Sequence, residues 1–144
     1  KLIDSIKTFS IFRTYRCSDI VLNELQKTTE LYIKKDEENI PFWNLLKNTY
    51  SQLENRLQKI IEKCNLEHKI INGESLIGGG TLPNITLSSP VMVLDIDEPE
   101  RVLKKLLSNE YPIIPRVVNG EINIDLRSVF ENQDHEIAKF LNSL

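Results

Sequence analysis

The apolar residues in the first half of the chain recur at helical spacing. Between Ser18 and about Lys35, apolar side chains return every three or four residues, which predicts a helix with Ser18 or Asp19 as its N-cap. A second apolar stripe starts after Pro41, a residue type that fits the first turn of a helix, and continues to Cys64. We therefore predict a second, long helix with an apolar face and a charged back. The charged back consists of Glu54, Arg56, Lys59, Glu62 and Lys63.

The second half of the chain has the pattern of short strands. Residues 90–96 form a nearly continuous apolar run, typical of a buried strand, and Asp97-Glu-Pro-Glu100 then supplies a cap, a first-turn proline and a capping-box glutamate for a helix. Residues 113–118 and 121–126 are two further predicted strands. They are joined by Asn119-Gly120, which favours a type I′ turn because both positions tolerate positive φ. The sequence therefore predicts a tight hairpin here.

A final amphipathic helix, from about Gln133, completes a β-α-β-β-α unit. The fold class that we predict is α+β, with a helical segment over residues 1–72 and a small α/β domain over residues 73–144. Near this boundary the sequence becomes rich in Gly, Pro and Ser.

Composition narrows the class of protein. The chain has 144 residues, of which 40% are hydrophobic and 27% charged, as in ordinary folded proteins. The formal net charge of -3 provides no general attraction for nucleic acid, so we do not expect wholesale tRNA binding by this segment alone. Cys17 and Cys64 lie far apart with no Cys or His cluster, which favours neither a zinc site nor a disulfide framework. We expect no membrane span and a cytoplasmic location.

Arg13 and Arg16 are the first candidate binding residues. They stand three residues apart in Phe12-Arg-Thr-Tyr-Arg16, a spacing that places both on one side of a helical turn. Two guanidinium forks side by side can hold a phosphate or carboxylate, and they repel each other unless an anion lies between them. The alternative is a pair of solvated surface arginines, and the local sequence leaves both interpretations open.

A glycine-rich segment, Ile77-Gly-Gly-Gly-Thr-Leu-Pro83, is the second candidate. Consecutive glycines can point backbone amides at an anion, but no Gly-Lys-Ser/Thr follows, so the segment is not a Walker A loop. A tight turn or a close approach to another chain segment would explain the glycines equally well.

Arg116 is the third candidate, because it lies among apolar neighbours in a predicted strand, where a charge needs a partner or an anionic ligand. Asp125 on the adjoining strand could pair with Arg116 or Arg127, which would make this a structural ion pair. His68 and His135 have no companions at an informative spacing, and we interpret both as surface residues.

Read in chain order, these motifs resemble the C-terminal third of the bacterial L-seryl-tRNA(Sec) selenium transferases, or selenocysteine synthases. Arg13-x-x-Arg16 resembles the family's Arg-Ala-Leu-Arg, and Glu38-Asn-Ile-Pro41 resembles its Glu-Ile-Pro. Gly78-Gly-Gly-Thr-Leu-Pro83 resembles Gly-Gly-Gly-Ser-Leu-Pro. Pro115-Arg116, Asn119-Gly120 and Asp125-Leu-Arg-Ser-Val129 resemble a series that ends in Asp-Leu-Arg-Thr-Val. The resemblance covers nearly the whole chain.

The resemblance implies a fold-type-I enzyme that depends on pyridoxal phosphate (PLP) and acts on seryl-tRNA(Sec) with selenophosphate as selenium donor. It implies that the PLP lysine lies upstream of Lys1, so that this segment alone is inactive, and that the intact enzyme is a homo-oligomer built on dimers. It also implies that Arg13 and Arg16 hold the donor, and we include Arg116 as a substrate-binding candidate. Cys17-Ser-Asp19 stands where the family commonly has Val-Asp-Lys, and Thr81 replaces Ser.

Two alternatives remain open from the sequence. One is a related PLP-dependent lyase or transferase that acts on a small amino acid without tRNA. The other is a stand-alone interaction module that offers the apolar stripe of the helix after Pro41 to a partner.

Overall fold

A computed structural model describes residues 1–64, 66–78 and 85–144. These residues form two compact units, Lys1–Trp43 and Asn44–Leu144, and the division falls within a short helix. No helix among the described residues is both long enough and apolar enough to span a membrane.

The first unit is helical. It contains α1 (Leu2–Lys7), a 3₁₀ turn over Ser10–Tyr15 and α2 (Asp19–Ile33). The side chain of Ser18 caps α2 by accepting a hydrogen bond from the backbone N–H of Val21, so the predicted N-cap is confirmed. Within this unit, the described structure buries one apolar side chain, Ile40.

The predicted helix over 41–64 is two helices, α3 (Pro41–Leu46) and α4 (Tyr50–Ile61). The prediction of one continuous helix was wrong because Thr49 starts a new helix as its N-cap. Thr49 and Gln52 form a reciprocal capping box, in which the N–H of Thr49 donates to Oε1 of Gln52 at 2.8 Å and the N–H of Gln52 donates to Oγ1 of Thr49 at 3.3 Å. The sequence did not reveal this break because the apolar periodicity continues across it.

The second unit contains an antiparallel sheet whose strand order, within the described residues, is β1-β2-β4-β3. The strands are β1 (His68–Leu76), β2 (Thr86–Leu94), β3 (Arg116–Val118) and β4 (Glu121–Asp125). The α+β class is confirmed. β1 was not predicted, because it is a mostly exposed edge strand that lacks a clear apolar alternation. The unit is therefore β-β-α-β-β-α rather than β-α-β-β-α.

The core lies between one face of this sheet and the helices α4, α5 (Pro99–Ser108) and α6 (Asp134–Leu141). Side chains alternate between the two faces of a strand, so Met92 and Leu94 of β2 and Ile122 and Ile124 of β4 point toward the helices. Asn123 and Asp125 are on the opposite face. The helices contribute the remaining core side chains, among them Leu53, Leu57, Ile60, Leu106, Ile137 and Leu141.

The hairpin between β3 and β4 has the predicted turn. Asn119 has φ of 52° and Gly120 has φ of 82°, as a type I′ turn requires. The start of α5 differs from prediction. Its N-cap is Glu98, which makes no side-chain capping bond and instead pairs with Arg101 at 2.7 Å.

The units divide at Trp43 and Asn44, whereas the sequence placed a boundary after residue 72. The physical reason is the apolar face of α4, which is buried against the sheet and so belongs to the same compact unit. That residues 1–72 link to a further domain stays a prediction.

Candidate anion-binding sites

Arg13 and Arg16 are both exposed and lie at the end of the 3₁₀ turn Ser10–Tyr15. A 3₁₀ helix has three residues per turn, so residues three apart lie on the same side of it. The backbone N–H of Arg16 donates to the carbonyl oxygen of Arg13 at 3.3 Å, which keeps the two residues on adjacent turns. The structure therefore brings these two predicted residues together.

Neither of these guanidinium groups has an ion-pair or hydrogen-bond partner among residues 1–64, 66–78 and 85–144. The neighbouring apolar residues are also exposed, including Phe9, Ile11 and Tyr15. Two adjacent positive charges on such a surface can bind an oxyanion, because no described residue uses any of their side-chain N–H donors.

Arg116 lies in the other unit, at the start of β3, and its side chain is 49% exposed. It pairs with Asp125, where Nη2 lies 3.1 Å from Oδ2, and its Nη1 donates to the carbonyl oxygen of Glu74 at 2.9 Å. The ion pair with Asp125 that the sequence offered as an alternative is thus present. Its exposure leaves room for a ligand as well.

Asp125 is the centre of this polar cluster. Its Oδ1 accepts hydrogen bonds from the Ser89 hydroxyl at 2.7 Å and from the backbone N–H of Arg127 at 3.0 Å. Its Oδ2 accepts from the Ser75 hydroxyl and from Arg116. These four hydrogen bonds occupy about all of the acceptor sites that a carboxylate offers.

Arg127 was considered only as a possible partner of Asp125, and its guanidinium goes elsewhere. Nη1 donates to the carbonyl oxygen of Asn48 at 2.9 Å, and Nη2 donates to that of Ser88 at 2.7 Å. Its Nε is buried and has no hydrogen-bond partner within the described structure. Sequence reasoning missed this orphan donor, since nothing in the local pattern shows where an arginine side chain turns.

A cavity of about 300 Å³ lies beside this cluster. Both arginines and Asp125 line it, together with Ser75, Leu76, Ile114, Asn123 and Ser128. The glycine-rich candidate lies almost wholly outside the described residues, because only Ile77 and Gly78 of Ile77–Pro83 are described.

Other chemistry has little support in the described part of the chain. No group of His, Cys, Asp and Glu there could hold a metal ion. His68 and His135 are exposed, as predicted. Two lysines have shifted pKa values: a hydrogen bond with Glu24 raises the pKa of Lys27, and one with Glu121 raises the pKa of Lys69. A lysine that attacks a carbonyl needs the opposite shift, toward the neutral amine.

Comparison with known proteins identifies the family. The family model described as "SelA: L-seryl-tRNA selenium transferase" matches residues 1–130. An L-seryl-tRNA(Sec) selenium transferase of Campylobacter fetus subsp. fetus is 33% identical over 144 residues, which cover 100% of this chain and 32% of that protein. One from Clostridium perfringens is 34% identical over 146 residues, covering 95% and 31% respectively. One from Aliarcobacter butzleri is 28% identical over 148 residues, covering 100% and 32%.

These proportions show that the chain spans about a third of the length of the curated relatives that it matches. The match to the family model nevertheless covers most of the chain, including all three candidate arginines. The chain therefore belongs to the L-seryl-tRNA selenium transferase family.

Proposed function

We propose that this chain is the C-terminal part of a PLP-dependent enzyme that converts seryl-tRNA(Sec) to selenocysteinyl-tRNA(Sec) in the cytoplasm, with selenophosphate as selenium donor. Family membership supports the reaction, since the relatives are named L-seryl-tRNA(Sec) selenium transferases. The observation that carries a role for this chain is the pair Arg13 and Arg16, whose exposed guanidinium groups have no partner in the described structure.

In this proposal, Arg13 and Arg16 hold the oxygens of the phosphate-like donor. A guanidinium group binds two oxygens of a phosphate in parallel, so two adjacent groups can fix both the position and the orientation of one donor molecule. The anion in turn relieves the repulsion between the two positive charges. The ligand is thus bound by charge-assisted hydrogen bonds that need no rearrangement of other ion pairs.

Neither of the two lysines with shifted pKa values fits the cofactor. PLP enzymes hold the cofactor through a lysine, and the two lysines with shifted pKa values are exposed and paired with glutamate, which stabilises the charged, unreactive amine. We propose that PLP is held by a part of the intact enzyme outside residues 1–144, and we expect this chain alone to be inactive. The relatives have room for such a part, because the chain matches about a third of their length.

The first unit supports the view that this chain works inside a larger assembly. Large apolar side chains are exposed all along it, for example Leu2 at 80% and Ile20 at 76%. A folded protein seldom leaves so many large apolar side chains in water unless another surface covers them. We propose that the rest of the intact enzyme, a homo-oligomer built on dimers, covers these side chains.

Substitution of each arginine in the intact enzyme tests the proposed donor site. Arg13→Gln and Arg16→Gln should each raise the KM for selenophosphate by about 10- to 100-fold, as expected for loss of a charged hydrogen bond worth roughly 1.5–3 kcal/mol. The KM for seryl-tRNA(Sec) should change little. Arg101→Gln is the matched control, because Arg101 is also exposed but already pairs with Glu98. Unchanged kinetics with selenophosphate in both variants would reject the donor site.

A binding measurement tests the placement of the cofactor. The chain of residues 1–144 should show no saturable binding of PLP, whereas the intact enzyme should bind it tightly. Saturable binding by the chain alone, abolished by replacing one of its lysines, would contradict the proposal. The alternative of a PLP enzyme acting on a small amino acid predicts turnover without any tRNA.

A further inference from the structure

The Arg116 cluster in the second unit has more cationic donors than acceptors. A carboxylate offers about four lone-pair sites, and Asp125 already accepts four hydrogen bonds. A guanidinium group has five N–H donors, and the described structure uses two from Arg116 and two from the Arg127 side chain. The carboxylate is therefore saturated while both arginines retain unused donors.

The buried Nε of Arg127 is the most informative of these unused donors. Buried N–H groups nearly always have a partner, so a buried donor without one among the described residues calls for an explanation, and a bound ligand or water is one such explanation. Arg127 lines the cavity of about 300 Å³ that Arg116 and Asp125 also line. Two positive charges and one negative charge leave a net positive charge at this cavity, which favours a ligand with negative charge.

The ion pair of Arg116 with Asp125 is more exposed and makes fewer hydrogen bonds than that of Arg56 with Asp134 in the same unit. Arg56 is 6% exposed and binds Asp134 in a bidentate manner, with Nε and Nη2 each donating to one carboxylate oxygen at 2.8 and 2.6 Å. Arg116 is half exposed and reaches Asp125 through a single nitrogen at 3.1 Å. Arg116 therefore keeps N–H donors that neither Asp125 nor the carbonyl of Glu74 uses.

We propose that this cavity is a binding site for a small oxyanion, a carboxylate or a phosphate group, held by the guanidinium groups of Arg116 and Arg127. Asp125 is a positioning residue that holds Arg116 through Oδ2 and the backbone of Arg127 through Oδ1. Ser128 and Asn123 line the same cavity and add polar side chains to it. The proposal does not depend on the function of Arg13 and Arg16.

An NMR titration of the chain tests this site directly. Arg13→Gln and Arg16→Gln are introduced together, so that the first unit cannot supply the signal. The side-chain Nε–H resonances of Arg116 and Arg127 are then followed as inorganic phosphate, acetate or chloride is added at constant ionic strength. We expect saturable shifts of both resonances with phosphate, with acetate or with both, and only a weak linear drift with chloride. The anion that saturates identifies the chemical group.

A further substitution separates a site from general attraction to a positive surface. Arg116→Gln should weaken binding of the anion by about tenfold or more, whereas the exposed control Arg101→Gln should leave binding unchanged. Arg116→Lys keeps the charge but loses the fork, and it should give an intermediate loss even if Arg116→Gln proves unstable. Linear drifts that are the same for all three anions, or equal weakening by the Arg101 and Arg116 variants, would overturn the proposal.

Discussion

Removal of one partner from the ion pair between Arg56 and Asp134 should strongly destabilise the second unit. The Arg56 side chain is 7% exposed and that of Asp134 is 18% exposed, and a further bond joins Nη2 of Arg56 to the carbonyl oxygen of Val129 at 2.9 Å. The pair connects α4 to the first residue of α6. Asp134→Ala leaves a buried guanidinium charge without its carboxylate, so we expect the free energy of unfolding to fall by about 3–5 kcal/mol.

Urea unfolding followed by circular dichroism, with linear extrapolation to water, measures this loss. Glu98→Ala is the matched control, since it breaks an arginine–carboxylate pair whose members are 69% and 63% exposed. That pair should contribute about 0–1 kcal/mol. The double variant Arg56→Met with Asp134→Ala removes both charges and should recover much of the loss. Equal losses for Asp134→Ala and Glu98→Ala, or a double variant less stable than Asp134→Ala, would refute this reasoning.

Three other predictions concern packing, thiol reactivity and local stability. Gly73→Ala should lower the free energy of unfolding by about 1–3 kcal/mol in urea, because its Cβ would lie 2.6 Å from Cγ2 of buried Val91. Gly78→Ala should have little effect, because no atom of the described residues lies within 4 Å of a Cβ built there. Burial raises the pKa of the Cys64 thiol, so at neutral pH iodoacetamide should label exposed Cys17 first in peptide mass spectrometry; faster labelling of Cys64 would contradict this. Backbone amides of residues 1–43 in the isolated chain should exchange hydrogen faster than those of the sheet, since the first unit buries little apolar surface; equal protection would argue against it.

Local chemical signals predicted the elements that they control. Ser18 capped a helix and Asn119-Gly120 formed a hairpin turn, because each acts through its own backbone geometry or through a hydrogen bond three residues away. The break before α4 was missed because Thr49 also fits the apolar stripe. Its partner Gln52 has the spacing of a capping box, and that signal could have revealed the break.

The partners of the charged residues could not be predicted with the same success. Arg56 was placed on the exposed back of its helix, which was wrong, as it is 6% exposed and bound to Asp134. It lies three residues after Leu53 and four before Ile60, a spacing that puts it beside the apolar stripe. Its partner is 78 residues away in the chain, and a single sequence contains no information about such a pairing.

In the candidate sites, too, the sequence predicted local features better than contacts between distant segments. The spacing of Arg13 and Arg16 was sufficient to predict their proximity, because it is local. Asp125 was correctly named as a partner of Arg116 from the hairpin that joins their strands. The contacts of Arg127 with Asn48 and Ser88, and the cavity beside them, depend on packing between distant segments and became visible only in the fold.

Selenium incorporation by the intact protein is the most direct test of the proposed function. The intact protein that contains this chain, supplied with PLP, should convert seryl-tRNA(Sec) to selenocysteinyl-tRNA(Sec) when selenophosphate is added, as measured by incorporation of labelled selenium into the aminoacyl group. We expect incorporation that requires both the charged tRNA and selenophosphate and that falls in the Arg13→Gln variant. If the folded, PLP-loaded protein turned over a free amino acid but incorporated no selenium, that result would contradict the proposed function.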